Sequence, residues 1–159
     1  GECLFESAAI LDYLDELGGP QRALMPASGA ERRHALNVIA MATGAADKGV
    51  LQLYEGVFRP ESKRHEPWLE RLRLQMNASL GAIDRHVGER GAAQWLVGKR
   101  MTQADITAVC AYTFLNDSLR VGADAVMYPS LAMLAARCEA MPEFSGTRMP
   151  FHPPADDRR

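Results

Sequence analysis

The stretch Gln94-Trp95-Leu96-Val97-Gly98-Lys99-Arg100-Met101-Thr102-Gln103-Ala104-Asp105-Ile106-Thr107-Ala108-Val109, continuing from Cys110 to Leu119, decides the fold. It reads as a short apolar approach, a glycine turn, a strong helix start and then a helix apolar on more than one side. Thr102 is placed to cap, its hydroxyl accepting from the N–H of Asp105. The Asp105 carboxylate can reach back to the N–H of Thr102, which completes a capping box. Met101 and Ile106 have the spacing of a hydrophobic staple. Asp105 also puts a negative charge where the helix dipole favours one. No charge interrupts Ile106 to Asn116. A helix apolar all round is a buried one, so this segment is expected at the centre of the fold.

Working outward, the same 3.6-residue period recurs on both sides. Ile10, Tyr13, Leu14 and Leu17 form one helical face that Gly18-Gly19-Pro20 stops. A linker follows, in which Leu24, Met25 and Pro26 are expected to be pinned to apolar surface. Ser28-Gly29-Ala30-Glu31 has the form of a second capping box. It opens a long helix to about Phe58, with Leu36, Ile39, Thr43, Ala46, Val50, Leu53 and Val57 as the expected buried stripe. The middle of that helix is smooth with alanine and glycine. Arg59 to His65 is a polar break, and Pro67 suits the first turn of the next helix. That helix carries Leu69, Leu72, Met76, Leu80, Ile83 and Val87 to about Arg90, where Gly91 closes it. Arg120 to Tyr128 is expected to be a loop. Pro129 opens a shorter helix with Leu131, Leu134, Ala135 and Cys138 on one face. Met141-Pro142 breaks it, and Glu143 to Thr147 has the length of one more turn. Residues 149–159 lack any period. No stretch alternates long enough to predict a strand, although Gly1 to Phe5 could be the ragged end of one. The fold class is all-α, a bundle of about five main helices with short connections.

Composition narrows the function. The formal net charge of −2 carries no electrostatic footprint for nucleic acid or an anionic membrane, and no apolar run approaches the roughly 20 residues of a membrane span. Cys3, Cys110 and Cys138 stand far apart, which argues against a disulfide framework or a zinc site. Cys110 and Cys138 fall in apolar helical patterns and are read as small buried hydrophobes. A reducing, cytoplasmic setting follows. His34, His65, His86 and His152 lack metal-ligand spacing and are read as solvated; no metal is expected.

Three motifs now stand in register. Glu6-Ser7-Ala8-Ala9-Ile10 with Tyr13-Leu14 resembles the glutathione transferase pattern Glu-Ser-x-x-Ile-x-x-Tyr-Leu. Trp95-Leu96-Val97-Gly98 followed by Thr102-x-x-Asp105-Ile106 resembles that family's folding motif. Tyr128-Pro129-Ser130-Leu131 with Met141-Pro142-Glu143-Phe144 resembles its final helices. Ala42 to Asp47, with Tyr54-Glu55 and Arg59-Pro60 after it, is similar to a bacterial branch. The resemblance implies a glutathione transferase C-terminal-like helical bundle over residues 30–148. Residues 1–20 would be the last helix of a thioredoxin-like domain, 21–29 a linker and 149–159 a tail.

The resemblance also implies roles. Ser7 takes the carboxylate of the γ-glutamyl end of glutathione and Glu6 its ammonium; read from the residues alone, Ser7 is a helix cap. Asp47 lies near a dimer axis and reaches the partner's glutathione; read alone, it is a surface charge or a partner of Lys48 or Arg32. Met41, Tyr54, Phe58 and Tyr112 are candidates for the pocket of a small apolar electrophile, or simply core. Thr102 and Asp105 are structural. Glutathione is the implied cosubstrate and a homodimer the implied assembly, with association favoured by the apolar face of Tyr13 and Leu17. The residue that activates the thiol belongs to the thioredoxin-like domain. No catalytic residue is therefore assigned within the chain, and the chain is expected to be truncated and inactive by itself. The rival expectation is a non-catalytic helical interaction module, as the same domain serves in some translation-associated proteins.

Overall fold

The computed structural model describes residues 3–91, 93–122 and 127–153. Gly1 and Glu2 of the possible strand end, 123–126 of the predicted loop and 154–159 of the predicted tail lie outside the described residues. The chain orders α1 (Ser7–Gly18), α2 (Gly29–Phe58), a 3₁₀ turn (Glu61–Lys63), α3 (Glu66–Arg90), α4 (Gln103–Leu119), α5 (Pro129–Glu139) and α6 (Pro142–Ser145). Among the described residues there is no strand. The fold is all-α.

α4 sits at the centre. Thr102, Gln103, Ala104 and Asp105 are all buried, Asp105 completely. Both arms of the capping box are present. The Thr102 N–H donates to Asp105 Oδ2 at 2.8 Å. The Thr102 hydroxyl also gives its proton to that oxygen, at 2.9 Å, which the pattern of a capping box alone did not suggest. The other oxygen, Oδ1, accepts from the Leu96 N–H at 2.7 Å. One buried carboxylate thus fixes both the helix start and the loop that leads into it.

That loop is held from outside by basic side chains. Arg137 donates to the Gln94 carbonyl at 2.9 Å and lies over the Trp95 ring. Arg90 donates to Trp95 O at 2.6 Å and Gly98 O at 2.8 Å. His86 Nε2 stands 2.9 Å from the Leu96 carbonyl. A carbonyl only accepts, so that nitrogen carries the proton. The expectation of four solvated histidines therefore fails at His86; His34 stays exposed as expected, although its ring meets that of His86 at 4.3 Å between centroids.

α3 and α5 bury the predicted faces: Leu69, Leu72, Met76, Leu80, Ile83 and Val87 on one, Leu131, Leu134, Ala135 and Cys138 on the other. α5 takes its cap from a distant residue, since Asp84 Oδ1 on α3 accepts from the Leu131 N–H at 2.8 Å.

α2 departs from its predicted stripe. The buried positions are Ala35, Val38, Ala42, Ala45 and Gly49, while Leu36 is half-exposed. Small residues face α4 because the two helices, running in the same direction, come very close. At Gly49 an added Cβ would collide with Leu115 on α4. The larger side chains flank that contact. Ser28 stands at the N-cap of α2 without a side-chain capping bond, and Gly29, the first residue of the helix, has φ 79°. Cys138 is buried as expected, but Cys110 is exposed, since it falls on the outer side of α4.

Candidate functional site

α1 buries none of its residues. Polar contacts from its inner side hold it to the bundle. The Asp15 carboxylate accepts from the Leu24 N–H at 2.8 Å and the Met25 N–H at 2.7 Å. Arg100 donates to Ala23 O at 2.7 Å, and the Gln103 N–H to Leu24 O at 3.1 Å. The linker predicted to be pinned by apolar contact is pinned mainly by these bonds, with Met25 also packed against the core. Asp12 reaches Arg32 on α2 at 3.4 Å, and Arg32 also donates to Pro26 O at 3.1 Å. Arg32 therefore pairs with Asp12 and not with Asp47.

Ser7 is the first residue of α1 and Glu6 stands at the N-cap, so Ser7 is not the cap that its sequence position suggested. Glu6 has φ 68°, in the left-handed region. With ψ 135° it lies outside the αL basin that side chains tolerate best, and such backbone strain costs roughly 1–3 kcal/mol. Such outliers persist where the surroundings impose them, and they cluster at ligand sites. No side chain caps α1, and its first turn holds no acid. Free N–H groups and an uncompensated dipole at that end favour an anion, and the Ser7 hydroxyl has no partner among the described residues.

A cavity of about 360 Å³ opens beside Ser7 between α1, α2 and the start of α4. Met25, Leu36 and Ile39 give it an apolar wall; Arg32, Thr43, Gln103 and Thr107 give it polar edges. Its volume falls in the range of small-molecule pockets. Sequence reading placed Leu36, Ile39 and Thr43 in the buried stripe of α2 and offered Arg32 only as a partner for Asp47. The signal available was the second stripe of small residues one position away, which marks the truly buried face.

The other predicted site residues scatter. Asp47 is exposed on α2, one turn beyond Thr43, and makes no ion pair among the described residues. Tyr54 and Phe58 are exposed neighbours, with centroids 5.3 Å apart. Met41 is half-buried against the core. Tyr112 lies in the core, edge-on to Tyr128 at 6.5 Å. Burial first, and the Asp84 carboxylate second, push its phenol up, so it stays protonated at neutral pH. None of these four side chains lines the cavity beside Ser7. Among the described residues no three His, Cys, Asp or Glu side chains gather as a metal site, and no helix is long and apolar enough to cross a membrane.

A central helix tied by a capping box, a loop fastened to it through Asp105 and a preceding helix with an open N-terminus define a class, and comparison with known proteins agrees with it. The family model described as glutathione S-transferase, C-terminal domain, matches residues 50–145. The chain belongs to the glutathione S-transferase family. Its structure is similar to that of a glutathione S-transferase from Methylobacterium radiotolerans solved with glutathione sulfonate. The two share 32% identity with a TM-score of 0.87, over 100% of this chain and 72% of that one. A family member from Pseudomonas fluorescens with bound glutathione is 29% identical, with a TM-score of 0.81, over 95% of this chain and 70% of that one. In sequence the chain is 31% identical over 151 residues to a probable maleylacetoacetate isomerase of Vibrio cholerae, across 90% of this chain. It is 29% identical to elongation factor 1-gamma-B of Xenopus laevis, across 91% of this chain. The chain spans 65% of the length of the first and 31% of the second.

Proposed function

We propose that this chain is the helical half of a glutathione transferase, with the last helix of its thioredoxin-like domain attached. In this reading residues 1–20 belong to that domain, 21–29 link, 30–148 form the helical domain and 149–159 are a tail. Glu6 and Ser7 hold the γ-glutamyl end of glutathione, Glu6 through its ammonium and Ser7 through its carboxylate. Asp47 approaches the partner's glutathione across a homodimer. The carrying observation is the left-handed Glu6 leading directly into Ser7 and an uncapped helix start, at the mouth of an apolar cavity. The two solved relatives named above, which hold glutathione and glutathione sulfonate, support the choice of ligand. The reaction is attack of the glutathione thiolate on a small apolar electrophile in a cytoplasmic setting. The cavity beside Ser7 is a better place for that electrophile than the scattered Met41, Tyr54, Phe58 and Tyr112. The group that activates the thiol is not among the residues assigned here.

The test is calorimetric titration of glutathione into the protein as its gene encodes it, and into its Ser7→Ala variant. Affinity is expected to fall at least tenfold; unchanged affinity would remove Ser7 from the site. A second reading, a non-catalytic interaction module, draws on the similarity to elongation factor 1-gamma-B. Retention on immobilised glutathione separates the two, since the module has no reason to bind it.

A further inference from the structure

α1 carries Ser7 at its start, joins the linker at its end and buries none of its residues. Its direction is therefore set by polar bonds more than by packing. The Asp15 carboxylate accepts from two successive linker amides, Leu24 N–H at 2.8 Å through Oδ1 and Met25 N–H at 2.7 Å through Oδ2. With both oxygens bonded at once, the carboxylate has one orientation, and the helix that bears it has little freedom to tilt against the linker.

The linker in turn is held from the helical domain. Arg100, on the approach to α4, donates through Nη2 to Ala23 O at 2.7 Å and through Nη1 to Gln21 O at 3.3 Å. The N–H of Gln103, the first residue of α4, donates to Leu24 O at 3.1 Å. Helix-start donors of that kind have no partner inside the helix and need one outside it. Arg100 stands two residues before the Thr102–Asp105 box, at the end of a loop whose Leu96 N–H is bonded to the same carboxylate. Its side chain is exposed, but its backbone is anchored to the centre of the fold. A continuous run of bonds therefore leads from the buried Asp105, through the approach loop and Arg100, to the linker, to Asp15 and so to α1.

We propose that Arg100 is a positioning residue for the glutathione site: by holding the linker it makes α1 present Ser7 at the mouth of the cavity. The proposal rests on the glutathione reading above. Arg100 does not line that cavity, so it acts only through α1. The lever is long. Ser7 lies eight residues from Asp15, about 12 Å along the axis, so a tilt of about 10° at Asp15 moves Ser7 by about 2 Å. A hydrogen bond from Ser7 to a carboxylate does not survive that displacement.

A double-mutant cycle tests it, with glutathione titrated calorimetrically into the protein as its gene encodes it, into Arg100→Met, into Ser7→Ala and into the double variant. Arg100→Met is expected to weaken binding at least fivefold in the parent and less than twofold in the Ser7→Ala background. Amide exchange reads the clamp without any ligand. In Arg100→Met the Leu24 and Met25 amides should exchange at least tenfold faster, while Leu96 and Thr102 stay as protected as in the parent, which also shows that the fold is kept. Unchanged exchange at Leu24 and Met25 would overturn the proposal whatever glutathione does. Faster exchange there, with glutathione affinity either unchanged or weakened by the same factor in both backgrounds, would overturn it and leave the glutathione reading standing. A parent that binds no glutathione would remove that reading, and the positioning role with it.

Discussion

Replacing Asp105 by alanine tests the central claim about the fold, that one buried carboxylate joins helix start and approach loop. The side chain is fully buried and accepts three hydrogen bonds, from Leu96 N–H, Thr102 N–H and the Thr102 hydroxyl. Alanine leaves two backbone donors buried without partners. Each orphaned donor costs about 1–3 kcal/mol, which gives about 2–6 kcal/mol for the pair. The hydroxyl can rotate and adds little. A domain of this size has about 5–15 kcal/mol in all, so the variant should be close to the edge of folding. Asp105→Asn keeps one acceptor oxygen but turns an NH₂ toward the other donor, so it should lose about half as much. Urea denaturation followed by far-ultraviolet circular dichroism measures both. Should alanine give no folded protein, asparagine carries the comparison, and its midpoint must fall below the parent's. An alanine variant within about 1 kcal/mol of the parent would refute the bonding scheme, because two buried orphan donors cannot cost so little.

Three further outcomes follow from the geometry. Gly49→Ala and Gly44→Ala should have opposite signs: at Gly49 the new methyl runs into the buried Leu115, an overpacking of about 1–3 kcal/mol, whereas Gly44 faces open space and gains up to about 1 kcal/mol of helix propensity. Thermal melts of the two side by side check this. His34 is held below the usual histidine range by desolvation, then by His86 and Arg90. A lowered folded value means that the unfolded chain takes up the proton first, so its share of stability is present above pH 6.5 and is lost as pH falls through the lowered value. Glu31 and Lys99 line the same hollow with opposite charges, and the ring is exposed, so the effect is small; His34→Gln should flatten the slope of the urea midpoint just below pH 6.5. Thiol labelling with peptide mapping at pH 8 should modify the exposed Cys3 first. Cys110 is exposed too, but partial desolvation of its thiol and then the Glu139 carboxylate push it up, so it should react more slowly than Cys3; Cys138, fully buried and pushed up to about 11, should react only after unfolding.

Some of this was legible before any coordinates. The stripes of α3 and α5, the Thr102–Asp105 box and the order of helices were read correctly, because each pattern is written within three or four residues of chain. α2 was misread by one position. Two apolar stripes overlap there, one of large residues and one of small. Hydrophobicity alone favours the large one. Close approach of α4 at Gly49 and Leu115 selects the small one, and that approach is a property of two helices together. The displaced side chains Leu36, Ile39 and Thr43 then become the wall of the candidate site.

The sequence by itself determined the elements, the family and the likeness of Glu6-Ser7 to a glutathione-binding pair. Only the tertiary structure decided the long-range partners: Asp105 with Leu96, Asp84 with the start of α5, Asp12 with Arg32, and His34 against His86. It also decided that Cys110 faces outward, and that the cavity beside Ser7 is lined by Leu36, Ile39 and Thr43 and not by Met41, Tyr54, Phe58 or Tyr112. The physical reason is one of range. A helix and its cap are fixed by neighbours a turn away, while a site is made where helices distant in sequence happen to dock.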